Sequence, residues 1–123
     1  MILVDTSVWV EYLRGAEPLL QDMLDAGKVI MHGMILGEIA CGGLRNRQSV
    51  LRRLGDLPAI KEREHAEVLA MIERKALMRR GIGFIDAHLL CSVLARPSTA
   101  LWTRDTRLRQ VADDLGVAYS ASM

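Results

Sequence analysis

The chain has 123 residues, half of them hydrophobic and a quarter charged, with a formal net charge of +1. That length fits one domain, expected to span residues 1–123, and the composition excludes a disordered chain. A charge so close to zero excludes a global pull toward nucleic acid or membrane, so any anionic partner has to be met by a local patch.

The elements alternate along the chain. Ile2, Leu3 and Val4 read as a first strand, and residues 7–14 as a helix ending at Gly15. Pro18 opens a second helix over 18–26 with Gly27 as its stop, and 29–31 reads as a second strand. Helices follow over 34–44, loosened by Gly42 and Gly43, and over 49–57, stopped by Pro58; Ala59 and Ile60 leave room for only a very short strand. His65, Val68, Leu69, Ile72 and Ala76 recur at helical spacing, which predicts the longest helix over 63–78, broken by Gly81 and Gly83. A helix over 86–94, a turn at Pro97 and Ser98, and a strand over 100–103 come next. Leu108, Val111, Ala112 and Leu115 mark a last helix ended by Gly116, and 117–119 gives a last strand. This order predicts an α/β fold: a central parallel sheet flanked by helices on both faces, a three-layer sandwich.

Four acids stand out in that framework. Asp5 ends the first strand and Asp105 follows the strand over 100–103, so both fall at the carboxyl edge of a parallel sheet, where such folds place their sites. Asp86 lies on the stripe of Leu89, Leu90 and Val93, and Glu38 beside Ile35, Cys41 and Gly42. A carboxylate on a core-facing stripe costs several kcal/mol, order of magnitude, unless a cation compensates it. Each acid alone also fits a plainer role: Asp5 and Asp105 as helix N-caps, Asp86 as a first-turn charge. Glu38 lies too deep in its helix to cap it. Together the four match the oxygen donors that Mg²⁺ and Mn²⁺ prefer, and their mutual repulsion is expected to raise proton affinity where no ion is bound.

Segments 1–9 (MILVDTSVW), 36–42 (LGEIACG), 85–90 (IDAHLL) and 101–105 (LWTRD) resemble the four acidic motifs of PIN-domain ribonucleases, and among these the VapC-type toxins of toxin–antitoxin pairs. The likeness runs through nearly the whole chain and departs from the family at Gly81 to Phe84, where relatives often carry a proline nearby. It implies a PIN-like fold and an endoribonuclease that hydrolyses RNA phosphodiester bonds. Asp5, Glu38, Asp86 and Asp105 are then the catalytic residues and ligands of one or two Mg²⁺ or Mn²⁺ ions, with Thr6 and Thr103 in support. It also implies a cognate VapB-type antitoxin, and a homodimer is the expected assembly. Trp9, Tyr12 and Leu13 make the first helix apolar over much of its circumference, which fits core packing in the first place and a contact surface for the antitoxin as the alternative.

Arg45, Arg47, Arg104 and Arg107, with Arg109, lie near these motifs and are candidate contacts to RNA phosphates, although surface charge is their ordinary role. Thirteen of the 16 basic residues are arginine, which suits bidentate phosphate contacts and equally a GC-rich codon usage. His32 and His65 have no ligand-spaced partner, and His88 reads as structural or surface. Cys41 and Cys91 read as small buried hydrophobes in a reducing compartment. The N-terminus lacks a signal peptide's basic lead, and no apolar stretch spans a bilayer, so a cytoplasmic protein is expected. Beside the toxin, a binding module that keeps the fold without catalysis is disfavoured by the complete set of acids, and two rivals remain. One is a housekeeping PIN-type RNA-processing nuclease. The other is a Mg²⁺-dependent phospho-accepting signalling domain, which would pair acids after the first strand and carry a late lysine; here Thr6 follows Asp5 and no lysine follows Lys75.

Overall fold

The structure, a computed structural model, describes residues 1–120. Strand β1 (Ile2–Val4) is buried along its whole length, as an apolar run covered on both sides has to be. It pairs in parallel with β2 (Val29–Ile30) on one side and β3 (Ala100–Trp102) on the other, with Ile2 opposite Val29 and Ala100. The sheet continues outward by two single bridges, Met31 with Ala59 beyond β2 and Leu101 with Ala118 beyond β3. The short strands expected around Ala59 and over 117–119 are therefore present as one bridge each. Pro58 lends its carbonyl to the Met31 N–H at 2.8 Å, a contact that needs no N–H from proline.

Seven helices flank the sheet among the described residues: α1 (Thr6–Leu13), α2 (Pro18–Asp25), α3 (Gly33–Ala40), α4 (Arg47–Gly55), α5 (His65–Arg74), α6 (Phe84–Ala95) and α7 (Thr106–Asp114). Helix α1 packs on α2 and α3, α3 on α4, α5 on α6, and α6 on β3. One apolar cluster joins β1, Trp9 of α1, Ile35 of α3, Met71 of α5, Leu89 and Leu90 of α6 and Leu108 of α7. The chain passes from β1 to β2 on one side and later to β3 on the other, so the order reverses at β1, the point at whose carboxyl edge open parallel sheets place their sites.

Two helices are shorter than their periodicity predicts. Helix α5 stops at Arg74, leaving α6, at 12 residues, the longest. Ala76 turns into the left-handed region (φ +53°), and the Leu77 N–H bonds the Ile72 carbonyl at 2.9 Å. This closure turns the buried Leu77 back onto the core. Helix α3 stops at Ala40, where the Arg47 guanidinium reaches the Ala40 and Gly42 carbonyls and takes the place of a further turn. Cys41 is consequently exposed, against the expectation of burial, while Cys91 is buried.

All three histidines serve the fold. His32 is fully buried and caps α3, its Nδ1 accepting the Met34 N–H at 3.0 Å. His88 is buried between α5 and α6, with Nε2 2.7 Å from His65 Nδ1 and the Phe84 ring edge-on at 4.7 Å.

Candidate active site

The predicted acids lie about the carboxyl ends of β1 and β3. Asp5 is the last residue in register with the sheet, its N–H donating to the Trp102 carbonyl at 2.8 Å, and it is buried. Its side chain makes no helix-cap bond; Oδ2 instead accepts from the Thr103 hydroxyl at 2.7 Å and the Ser7 hydroxyl at 2.8 Å. The cap explanation thus fails for Asp5 and holds for Asp105, whose Oδ1 accepts from the Arg107 and Leu108 N–H groups. The Thr103 hydroxyl also accepts the Asp105 N–H at 3.0 Å, so one side chain orders both acids. Asp86, third residue of α6, accepts the Gly83 N–H at 3.0 Å.

Glu38 is exposed, and the reading that placed it on an apolar stripe is corrected: Ile35 and Ile39 carry the buried face of α3, while Cys41 and Gly42 are exposed with Glu38. What positions it is the Thr6 hydroxyl, 2.7 Å from Oε1. Asp105 is exposed as well, so the desolvation argument applies to Asp5 and Asp86 only.

Asp5, Asp105 and Glu38 all lie within electrostatic reach of Asp86. The Asp86 carboxyl is raised above the ordinary carboxylate value, mostly by burial; the Gly83 N–H opposes this, and the charges of Asp5, Asp105 and Glu38 raise it further. The donors are all oxygens, and none of the four forms an ion pair among the described residues, which suits a hard divalent cation. As they stand, no three acidic, histidine or cysteine side chains among the described residues form a cage for an ion. An ion held here would keep part of its water shell, as Mg²⁺ commonly does.

The arginines are placed unevenly. Arg47 is committed in part to the end of α3. Arg107 lies across Gly81, where a Cβ would come within 2.5 Å of its Cδ; Gly81 itself has φ +80°. Arg104 forms an ion pair with the buried carboxylate of Glu17, and its N–H donates to the Ser7 hydroxyl at 3.0 Å. Arg45 lines a groove of about 570 Å³ beside Glu38, whose walls include Val10, Leu13, Ile39, Leu44 and Val50. Leu13 faces that groove, Tyr12 is half-buried, and Trp9 is fully buried, so the indole belongs to the core and offers no surface to a partner. Ser7 and Glu17 escaped the sequence reading. Ser7 was legible only as the neighbour of Thr6, and nothing in the local pattern pairs Glu17 with a residue 87 positions away.

Comparison with known proteins agrees with the fold. Residues 2–114 match the PIN domain family. Two relatives from Mycobacterium tuberculosis, of strains CDC 1551/Oshkosh and H37Rv, are each 42% identical over 98% of this chain and 97% of their own. Both are named ribonuclease VapC32. A crystal structure of PAE2754 from Pyrobaculum aerophilum superposes with a TM-score of 0.63 over 96% of this chain and 87% of that one, at 16% identity, which speaks to the fold. The chain belongs to the PIN-domain family, on its VapC side.

Proposed function

We propose that this protein is a metal-dependent endoribonuclease that hydrolyses RNA phosphodiester bonds and acts as the toxin of a type II toxin–antitoxin pair. The observation that carries this reading is the convergence of Asp5, Glu38 and Asp105 on Asp86, at the carboxyl ends of the strands of a PIN-family chain whose relatives are named VapC ribonucleases. The signalling-domain rival has no support in the family match.

Asp5, Glu38, Asp86 and Asp105 would hold Mg²⁺ or Mn²⁺, one or two ions. When bound, such a cation acidifies water and stabilises charge on phosphoryl oxygens. The chain's own contribution is order. Hydroxyls of Thr103 and Ser7 hold Asp5 Oδ2, the Thr6 hydroxyl holds Glu38, and backbone N–H groups hold Asp86 and Asp105, so each carboxylate is fixed by a neighbour. Arg45 next to Glu38 and Arg104 next to Asp105 are the arginines best placed to meet phosphates of the strand. This activity belongs in the cytoplasm, with the RNA; no helix among the described residues is long and apolar enough to cross a membrane.

Restraint by a VapB-type antitoxin fits the groove beside Glu38. Its apolar wall accepts an amphipathic segment, and its Glu38 end accepts a basic side chain. A homodimer has a candidate face in Phe84, Ile85 and Leu69, all exposed, with Phe84 against His65 one turn before Leu69. The test of the activity is cleavage of single-stranded RNA by the purified protein with chelator and with Mg²⁺ or Mn²⁺ restored. Cleavage that stops with chelator and returns with the ion, leaving 5′-phosphate ends, supports the reading, and full activity in chelator refutes the metal requirement.

A further inference from the structure

Glu17 is a carboxylate that the fold buries with no other hydrogen-bonding partner among the described residues than the guanidinium it pairs with. It is 8% exposed and sits just before α2, in the connection from α1, yet its partner Arg104 belongs to the loop between β3 and α7. A buried carboxylate is costly to keep without a countercharge, so the pair is held closed and Arg104 is immobilised by it. Nearly half of the Arg104 side chain, 47%, is open to solvent. Arginine carries five N–H donors in a rigid fork and a carboxylate engages at most two, so an outer edge remains for an acceptor.

The place of that edge is the informative part. Arg104 precedes Asp105 and is tied through its backbone N–H to Ser7, which bonds Asp5. Four carboxylates here repel an RNA strand, and a cation at their rim offsets the repulsion. Of the arginines nearby, Arg47 is committed in part to the end of α3, Arg107 lies against Gly81, and Arg45 lines the groove on the Glu38 side. A flexible arginine in this position would fold onto the carboxylates; one anchored from behind by Glu17 keeps its fork outward.

We infer that Glu17 is a positioning residue: its buried carboxylate anchors Arg104 so that the outer edge of the guanidinium forms a preorganised clamp for an RNA phosphate next to Asp105. The inference rests on the nuclease reading above and names a substrate contact within it. Anchoring lowers the ordering cost of binding, so its loss shows in RNA affinity and not in the chemical step.

The test compares wild type, Glu17→Gln, Arg104→Gln, the double variant and Arg104→Lys on a single-stranded RNA, with Asp5→Asn as the inactive control. Arg104→Lys keeps the charge that Glu17 needs and so keeps the fold, but loses the outward fork. The expected result is a KM raised about tenfold in Glu17→Gln and in Arg104→Lys, with kcat and the Mg²⁺ requirement within about twofold of wild type. The double variant is expected to be no worse than Arg104→Gln alone, because both act through one contact. Additive losses, an unchanged KM in Arg104→Lys, or a Glu17→Gln effect on the Mg²⁺ requirement alone would overturn the inference while leaving the nuclease reading intact. Undiminished cleavage by Asp5→Asn would overturn both.

Discussion

Thr6, Ser7 and Thr103 show how little the carboxylates are left to themselves. Thr6 and Glu38 form an exposed pair, so the hydroxyl contributes little to stability and much to the orientation of Glu38. Thr6→Val, which keeps the shape and removes the donor, should slow RNA cleavage about tenfold while the melting temperature stays close to that of wild type. Equal rates would show that Glu38 needs no such support. Gly81 is a second position where one atom decides. An alanine there meets both a positive φ and the Arg107 side chain, so Gly81→Ala should destabilise by about 1–2 kcal/mol, read as a lower urea midpoint.

At the scale of elements, α3 is the helix that presents Glu38, and its entry depends on His32. Burial, with a smaller push from His88 and an opposing pull from Glu62, holds the His32 imidazole below its ordinary 6.5. The unfolded chain therefore takes up protons first as the pH falls below about 6.5, so this contribution to stability is full above that value and is lost as the pH falls toward the folded-state pKa. Burial, with His65 and against Glu62, lowers His88 in the same sense. Stability should thus drop as the pH falls below about 6.5, and His32→Asn, which still caps but does not titrate, should flatten the drop in urea midpoint. An unaltered slope in that variant would remove His32 from the account. None of this was legible in the sequence. Strands β1 and β3 were, because Ile2 to Val4 and Ala100 to Trp102 are apolar runs between turn signals. The end of α5 was not, since Ala76 extends the helical stripe and only the burial of Leu77 turns the chain out of it. The histidines looked solitary because the sequence separates residues that α3, α5 and α6 bring together.

Over the whole molecule, the three strands put Asp5 and Asp105 on one edge, and α6 and α3 bring Asp86 and Glu38 to it. The identities of these acids were legible because each breaks a local pattern or carries a family motif, whereas the Thr103 bond to Asp5, the Thr6 bond to Glu38 and the Glu17 pair with Arg104 join residues far apart in the chain. Convergence has a measurable cost. Asp86 has a proton affinity raised above the 3.8 of an ordinary aspartate, so its contribution to stability is greatest below that pH and is lost as the pH rises through the folded-state value. At neutral pH, Asp86→Asn should raise the melting temperature of the ion-free protein and blunt the further rise that Mg²⁺ brings to wild type. Equal Mg²⁺ shifts in the two proteins would mean that the acids act apart. The most direct measurement of the central claim is RNA cleavage by Asp5→Asn, in which an amide oxygen can still accept from Thr103 and Ser7 but the charge is gone. If the four acids hold the ion, Asp5→Asn folds with wild-type-like melting and cleaves more slowly by on the order of a hundredfold or more; a folded Asp5→Asn protein that cleaves RNA at the wild-type rate would rule that role out.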